Sequence, residues 1–350
     1  MTDTDFQYTY TPLEKPVRIT EQDWPEVTVP LVTIQCVTYN HVNFIRDAIE
    51  GFLMQETTFP VEILIHDDAS TDGTADIVRV YEAKYPQLIK PIYQAENQYS
   101  QGKKASQILR PLQRGKYIAL CEADDYWIIK NKLEMQVAKM SSMANCVLVG
   151  GRVKILPLYS SDNEEIDPPL DLDLENSNVV LLENGVWLHT ASRLWRKGFM
   201  DEFHSDLDAK KIKSKSDLYQ ILYLKSKILD GKVSALSISE IVASYRIHTC
   251  GVWSHLSETD KIISNLKIFI ICRCFYSTKN YNYIDALIFS SLEHLKNNKL
   301  EVTLSDIFSI FSNAFKSGLL ASDVTNNFKF TRLCLNMFKR TLRNKVGGFK

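Results

Sequence analysis

The sequence alternates between continuous apolar runs and segments with helical spacing, and this alternation limits the folds open to the chain. The apolar runs are "LVTIQCV" (31–37), "VEILIH" (61–66), "KYIALC" (116–121) and "NCVLVGGRV" (145–153). Runs without polar alternation are typical of strands buried on both faces. After the first run, Val42, Ile45 and Ile49 recur at helical spacing. Repeated strand–helix–strand units predict an α/β fold, with a mostly parallel sheet flanked by helices.

Polar clusters follow three of these runs at the point where each predicted strand ends. They are Thr38-Tyr39-Asn40, Asp67-Asp68 and the acidic stretch Glu122, Asp124 and Asp125. In open α/β sheets, ligands bind beyond the carboxyl ends of the strands. We therefore expect the three clusters to meet at one rim of the sheet and to form the ligand site.

Composition and charge narrow the class of protein. Of 350 residues, 45% are hydrophobic and 24% charged, with a formal net charge of −1, so no global field favours a nucleic-acid partner. The seven cysteines are odd in number and several lie in apolar runs, which predicts reduced thiols. The polar, acidic start "MTDTDFQYTY" does not resemble a signal peptide. The apolar stretch from Ile262 is shorter than the ~20 residues of a membrane span, so we expect a cytoplasmic protein.

The pattern also predicts how the chain is divided. Residues 1–30 form an irregular, proline-containing leader, and residues 31–255 carry the strand–helix pattern, interrupted by an acidic loop at about 157–178. Residues 256–350 form a helical C-terminal extension. Its last part, from Lys329, has seven basic residues, no acid and an apolar stripe. Such a helix can lie on an anionic membrane or pack on the protein with its lysines in water, and both interpretations stay open.

The nucleotide-binding motifs of other α/β proteins are absent from the sequence. There is no G-x-G-x-x-G after the first strand and no G-x-x-x-x-G-K-[ST] anywhere. A phosphate ligand would need another partner, and a divalent cation held by carboxylates is one route. The stretch "CEADDYW" offers such carboxylates. It equally suits a helix N-terminus, where acidic side chains complement the macrodipole.

Four segments together carry a resemblance to a known family. They are "TYNHVNFIRDAIEGFLMQ", "VEILIHDDASTDGTADIVRVYEAKYP", "CEADDYWIIKNKLEMQV" and "YRIHTCGVWS". In this order and spacing they resemble a family 2 glycosyltransferase with the GT-A (nucleotide-diphospho-sugar transferase) fold, over roughly residues 30–255. The similarity extends to the bacterial members that build capsule, exopolysaccharide or O-antigen chains.

This resemblance implies roles for the polar clusters on the nucleotide side. Tyr39, between Thr38 and Asn40, would stack on the base, commonly uracil, and Asp68 beside Asp67 would accept the uracil N–H. From chemistry alone, the two aspartates shape the turn "DDASTDGT" equally well. Arg246 would contact the donor diphosphate.

The resemblance also implies a metal site that holds Mn²⁺ or Mg²⁺. In one register Asp124 contacts the ribose and Asp125 binds the cation; in the other, Glu122 and Asp124 form the D-x-D pair. His248 would reach the diphosphate or the metal, since imidazole is an acceptable Mn²⁺ ligand. The structural alternative for a lone histidine stays open.

The remaining implied roles concern catalysis and the acceptor. Asp217, at the start of a predicted helix, would be the general base of an inverting transfer, with Asp201 and Asp206 as competitors and helix capping as a compatible role. Trp253 and Ser254 would belong to a lid. Three residues resemble the segment that borders the acceptor, namely His189, Thr190 and Ser192. Arg193 and Arg196 are expected to be surface charges.

Three functions follow from this reading of the sequence. The first is a metal-dependent, inverting transfer from a nucleotide sugar, with UDP as the expected nucleotide, to a glycan or lipid-linked acceptor at the cytoplasmic face of the inner membrane. The second is a sugar-nucleotide pyrophosphorylase, which needs a Gly-rich basic loop where "TYNHVN" stands. The third is an inactive nucleotide-sugar-binding scaffold.

Overall fold

The computed structural model describes residues 9–158, 189–210, 218–249, 251, 256–276, 280–298, 302–316 and 330–337. The chain divides into two compact units, Met1–Lys215 with Val233–His248, and Ser216–Lys232 with Thr249–Lys350. Five cysteines in the described ranges are buried free thiols. None of the described helices combines the length and the apolar character that crossing a bilayer requires.

The first unit is built on an eight-stranded mixed sheet and a separate two-stranded sheet. The strands are β1 (Val17–Arg18), β2 (Val32–Thr38), β3 (Glu56–Thr57), β4 (Val61–Asp67), β5 (Ile89–Tyr93), β6 (Tyr117–Leu120), β7 (Tyr126–Trp127), β8 (Cys146–Pro157), β9 (Leu194–Arg196) and β10 (Ser234–Ile247). The large sheet has the order β5-β4-β2-β6-β9-β8-β10-β7, and β1 pairs with β3. The pairs β5-β4, β4-β2, β2-β6 and β8-β10 are parallel, and the other three are antiparallel. This is the α/β arrangement of the GT-A fold.

The buried strands follow directly from the apolar runs. All seven residues of β4 are buried, as a central parallel strand covered on both faces requires. The segment "IKPIY" forms the edge strand β5, where Pro91 and its missing N–H are tolerated. Parallel register places Thr38 opposite Asp67, so two of the polar clusters emerge side by side.

The described part of this unit contains five helices, which accompany the sheet or follow its strands. They are α1 (Ile45–Leu53), α2 (Thr74–Lys84), α3 (Ala105–Leu109), α4 (Lys132–Ser141) and α5 (Lys197–Ala209). Helix α3 is short, because a 3-10 turn that contains Pro111 follows it. Helix α1 approaches β7 closely: a Cβ atom on Gly51 would lie 2.9 Å from the backbone N and O of Trp127. Only glycine permits this approach.

The second unit is helical in its described parts. It contains α6 (Leu218–Leu229), α7 (Glu258–Cys272), α8 (Tyr281–Asn297) and α9 (Leu304–Lys316), and residues 330–337 are also helical. Ser257 caps α7 by accepting the Asp260 N–H at 3.1 Å. A buried ion pair joins Arg273 Nε to Asp285 Oδ1 at 2.7 Å, and the same guanidinium lies over the Tyr281 ring.

Candidate active site

The acidic cluster lies in a tight turn between β6 and β7, at the carboxyl end of the parallel strands. The Ala123 N–H donates to Val37 O at 3.1 Å, which extends the strand pairing into the turn. The Asp125 N–H donates to Glu122 O at 3.1 Å and closes the turn. One carboxylate oxygen from each of Glu122, Asp124 and Asp125 lies within 4.8 Å of the others. The fold therefore concentrates three acids where the sequence analysis placed the ligand site.

Asp125 is the most deeply buried member of the cluster, with 1% of its surface exposed. Its Oδ1 accepts the backbone N–H of Arg246, on β10, at 3.0 Å. Burial raises the pKa of Asp125 well above its ordinary value, and the neighbouring Asp124 charge raises it further. A carboxylate in this position is stabilised only when positive charge or donors compensate it.

Asp124 has a different environment from its neighbour. Its Oδ2 lies 3.1 Å from His248 Nε2. Burial acts to raise the pKa of Asp124, but the His248 hydrogen bond and the nearby His41 lower it below the ordinary value. Its Oδ1 is buried and has no hydrogen-bond partner among the residues that the structure describes. A buried carboxylate oxygen of this kind calls for a ligand, a water or an ion.

The donor set of this turn fits a divalent cation. Mg²⁺ and Mn²⁺ prefer hard oxygen ligands, and often bind one or two carboxylates together with substrate phosphates. The three clustered oxygens include both pairs that the sequence left open, Glu122 with Asp124 and Asp124 with Asp125. Asp124, whose Oδ1 has no hydrogen-bond partner among the described residues, belongs to both pairs.

Arg246 connects the acidic turn to the start of α1. Its guanidinium forms an ion pair with Asp47 and donates from Nη1 to the backbone oxygen of Asp124 at 3.1 Å. The guanidinium carbon also lies 4.3 Å from the Tyr126 ring centroid. Arg246, expected at the diphosphate, thus lies at the site and takes part in organising the turn.

His248 belongs to an aromatic cluster beside the acidic turn. Its ring centroid lies 4.9 Å from that of Phe44 and 6.3 Å from that of His41. Burial lowers the pKa of His41, although the Asp124 charge opposes this. The sequence patterns assigned no role to His41. Its position directly after the Tyr39-Asn40 cluster is the feature of the sequence that indicates a place at this rim.

The nucleotide-side cluster after β2 is tied to the turn after β4. Asn40 has a positive φ of 56°. Its N–H donates to Ser70 Oγ at 2.9 Å, and its Oδ1 accepts the Thr71 N–H at 2.8 Å. Thr38 is buried, whereas Tyr39 is 44% exposed. An exposed aromatic ring on a rigid turn is suited to stacking on a planar ligand.

Asp67 and Asp68 are both buried, and both shape loops. Asp67 accepts hydrogen bonds from Ser70, and the Asp68 carboxylate accepts the N–H groups of Gln98 at 2.7 Å and Tyr99 at 3.0 Å. These bonds agree with the structural alternative, in which the two aspartates shape the turn "DDASTDGT". Each Asp68 carboxylate oxygen accepts one of these bonds and has the capacity for a second, so the ligand role predicted for Asp68 is compatible with the loop role.

His189, expected beside the acceptor, lies close to the acidic turn. Its Nδ1 is 3.6 Å from Asp125 Oδ2, and its ring lies 4.1 Å from the Tyr245 ring. Because Nδ1 is also 3.3 Å from the Ala191 N–H, it acts as an acceptor, so the Asp125 contact is not a hydrogen bond donated from Nδ1. Thr190 and Ser192 follow in a 3-10 turn.

The expected surface charges at Arg193 and Arg196 require one correction. Arg193 is fully buried, so that prediction is wrong for this residue. Its chain segment enters β9, which lies between β6 and β8 in the sheet, and this central position encloses the side chain. Arg196 is partly buried, and its Nε donates to Cys146 O at 2.9 Å.

Several expectations lie outside the described residues. They concern the base candidate Asp217, the lid residues Trp253 and Ser254, the acidic loop beyond residue 158 and the last part of the basic tail. Asp201 and Asp206, the competing bases, lie on α5, where Asp201 pairs with Lys197 at 2.7 Å.

The fold defines the class: an α/β glycosyltransferase fold of the GT-A type, with an acidic turn at the carboxyl end of its parallel strands. TarS from S. aureus, solved in complex with UDP, superposes with a TM-score of 0.56 at 14% identity, covering 90% of this chain and 91% of that chain. Residues 33–166, which lie within the first unit, match the family model "Glycosyl transferase family 2".

Two relatives extend the comparison along the chain. An uncharacterized protein of Mycobacterium tuberculosis is 33% identical over 230 residues, which cover 66% of this chain and 62% of the relative. The chain therefore matches less than two thirds of that relative's length. The Escherichia coli UDP-Glc:alpha-D-GlcNAc-diphosphoundecaprenol beta-1,3-glucosyltransferase WfaP is 34% identical over 113 residues, covering 32% of this chain and 42% of WfaP.

Proposed function

We propose that the protein is a metal-dependent, inverting glycosyltransferase that moves a sugar from a UDP-sugar to a hydroxyl group of a glycan or lipid-linked acceptor. The observation that carries the proposal is the acidic turn of Glu122, Asp124 and Asp125 at the rim of a family 2 domain. WfaP is a glucosyltransferase with a UDP-sugar donor and a diphosphoundecaprenol-linked acceptor, which supports the choice of a UDP-sugar and of a lipid-linked acceptor here.

The acidic turn is the proposed site of the cation, with Asp124 and Asp125 or Glu122 and Asp124 as ligands. A divalent cation there would stabilise the negative charge that develops on the departing diphosphate. His248 holds one oxygen of Asp124 in place by a 3.1 Å hydrogen bond. Arg246 stabilises the turn by donating from its backbone N–H to Asp125 Oδ1 and from its guanidinium to Asp124 O. The protein thus fixes the carboxylates before the donor binds.

The nucleotide is proposed to bind over the β2 and β4 strand ends. Tyr39 offers an exposed ring for stacking on the base, and base stacking of this type contributes ~1–3 kcal/mol. Asp68, held by two backbone N–H groups, is proposed to accept the N–H of uracil on a remaining lone pair.

Asp217 is proposed as the general base. Its carboxylate would take the proton from the acceptor hydroxyl as the oxygen attacks the anomeric carbon and the bond to the diphosphate breaks. A single displacement with one base inverts the anomeric centre. In the sequence, Asp217 follows Ser216 and precedes the segment "LYQILYLKSK" with its helical pattern, a position that also suits a capping residue.

The test is UDP release from a panel of UDP-sugars with Mn²⁺, with and without EDTA, together with thermal shift on addition of UDP and Mn²⁺. We expect turnover that EDTA abolishes. Asp125→Ala should lose the metal-dependent shift, whereas Asp217→Asn should keep the shift and lose turnover by about 100-fold or more. A metal-dependent shift without turnover of any sugar would favour the inactive scaffold. Normal turnover of Asp217→Asn would exclude Asp217 as the base.

A further inference from the structure

Buried side chains that have no role in the proposed chemistry donate hydrogen bonds to a short turn beside the acidic cluster. The 3-10 turn Thr190–Ser192 follows His189, whose Nδ1 lies 3.6 Å from Asp125 Oδ2. The turn accepts hydrogen bonds at successive carbonyl oxygens. Trp127 Nε1 donates to Ala191 O at 2.8 Å, and Gln136 Nε2 donates to Ser192 O at 2.7 Å.

Both donors are fixed in orientation. Trp127 is 1% exposed and packs edge-on against Phe52, with ring centroids 4.9 Å apart. Gln136, fully buried, also donates to Val149 O at 3.0 Å, and its Oε1 accepts from Lys132 Nζ at 2.7 Å. Lys132 is itself buried, with Nζ 4.1 Å from the Trp127 ring centroid. Because Val149 O and Ser192 O can only accept, the NH₂ group of Gln136 faces the turn and its Oε1 faces Lys132.

The backbone hydrogen bonds within the turn satisfy only some of its carbonyl oxygens. His189 O accepts the Ser192 N–H at 2.9 Å and Thr190 O accepts the Arg193 N–H at 3.1 Å, but Ala191 O and Ser192 O are satisfied by Trp127 and Gln136. Buried carbonyl groups without partners are costly, so these two donors favour this one turn geometry.

We propose that Gln136, Trp127 and Lys132 form a positioning set that holds the turn Thr190–Ser192 and thereby places His189 against Asp125. An effect of this set on the cation site rests on the proposed function, whereas its effect on the position of His189 does not. Groups that orient metal ligands from a distance commonly change metal affinity or activity by 10–100-fold when removed. Gln136 acts through the turn and through His189, and touches none of the clustered acids by a hydrogen bond that the described residues make.

The first measurement reports on His189 directly and needs no activity. The full chain is labelled at histidine ¹³Cε1, and the His189 signal is assigned by its loss in His189→Asn. Because the imidazole lies 4.1 Å from the Tyr245 ring, its chemical shift is sensitive to small displacements. We expect the His189 signal to move in Gln136→Met. Trp127→Phe removes one hydrogen-bond donor and keeps an aromatic ring, and it should move the same signal. This variant replaces Gln136→Met in the test if Gln136→Met does not fold.

The chain offers a matched control in Gln55. This glutamine is also fully buried, its Nε2 donates to two backbone oxygens, Gly51 O and Ile129 O, and its Oε1 accepts the Leu133 N–H. Gln55→Met should lower stability comparably to Gln136→Met and leave the His189 signal in place. An unmoved His189 signal in folded Gln136→Met and Trp127→Phe would overturn the positioning role, as would an equal movement in Gln55→Met.

The second measurement concerns the site. In Gln136→Met, the Mn²⁺ concentration for half-maximal UDP release should rise about tenfold with little change in the UDP-sugar KM, and Gln55→Met should leave it unchanged. An unchanged Mn²⁺ requirement, with a moved His189 signal, would refute the effect on the cation site. If the wild-type chain releases no UDP, the proposed function fails, while the histidine signal still decides the positioning.

Discussion

At the scale of single residues, the buried ammonium of Lys132 predicts an unusual pH dependence of stability. Complete burial lowers its pKa from 10.5 to about 7. Between these values the folded lysine is neutral while the unfolded one is charged, so the unfolded state binds more protons and stability rises with pH. Below about pH 7 the full cost of burying the charge remains. We therefore expect the stability advantage of Lys132→Met over the wild type to be largest at or below pH 7 and smallest near pH 10.

Chemical denaturation at pH 7 and pH 9.5 measures this difference. At roughly 1.4 kcal/mol per pKa unit, the advantage of Lys132→Met should shrink by about 2–3 kcal/mol across this interval. Loss of the hydrogen bond to Gln136 lowers the variant's stability equally at both values and so cancels. An advantage that does not change with pH would show that Lys132 keeps its proton in the folded protein.

At the scale of elements, the contact between α1 and β7 depends on Gly51. In Gly51→Ala the new Cβ would lie 2.9 Å from two backbone atoms of Trp127, and backbone cannot yield as a flexible side chain does. Alanine favours a helix by ~1 kcal/mol, but overpacking costs typically 1–3 kcal/mol, so we expect net destabilisation and a lower Tm. Gly198→Ala, on α5 with no atom within 4 Å of its Cβ, should be neutral or stabilising. A higher Tm for Gly51→Ala would mean that α1 and β7 separate easily.

The elements also show what sequence patterns can and cannot predict. Continuous apolar runs predicted β2, β4, β6 and β8, since burial on both faces leaves a local signature. Strands β7 and β9 have two and three residues and carry no pattern of their own; they exist because distant strands offer partners. At the site, the acidic turn was recognisable from adjacent residues. The Arg246–Asp47 ion pair joins residues far apart in the sequence, so it could not be predicted.

At the scale of the whole molecule, the chain divides into two compact units, so stability and donor binding can be tested with changes in different units. The acidic turn and the polar clusters at the strand ends lie in the first unit, and the buried pair of Arg273 and Asp285 lies in the second. Asp285→Asn leaves a buried guanidinium without its carboxylate, which costs typically 3–5 kcal/mol. We expect a lower Tm for this variant, with an unchanged dissociation constant for UDP in the presence of Mn²⁺.

A more exposed ion pair of the same unit provides the control. Lys267 and Asp306 lie 3.0 Å apart with side chains 30% and 24% exposed, so Lys267→Gln should change stability by only about 1 kcal/mol or less. Differential scanning calorimetry and titration calorimetry on the full chain measure the two quantities separately. Because ligand binding stabilises only the state that binds, UDP with Mn²⁺ should raise the Tm of the first unit in both variants. Weakened UDP binding in folded Asp285→Asn would mean that the helical unit contributes to the donor site.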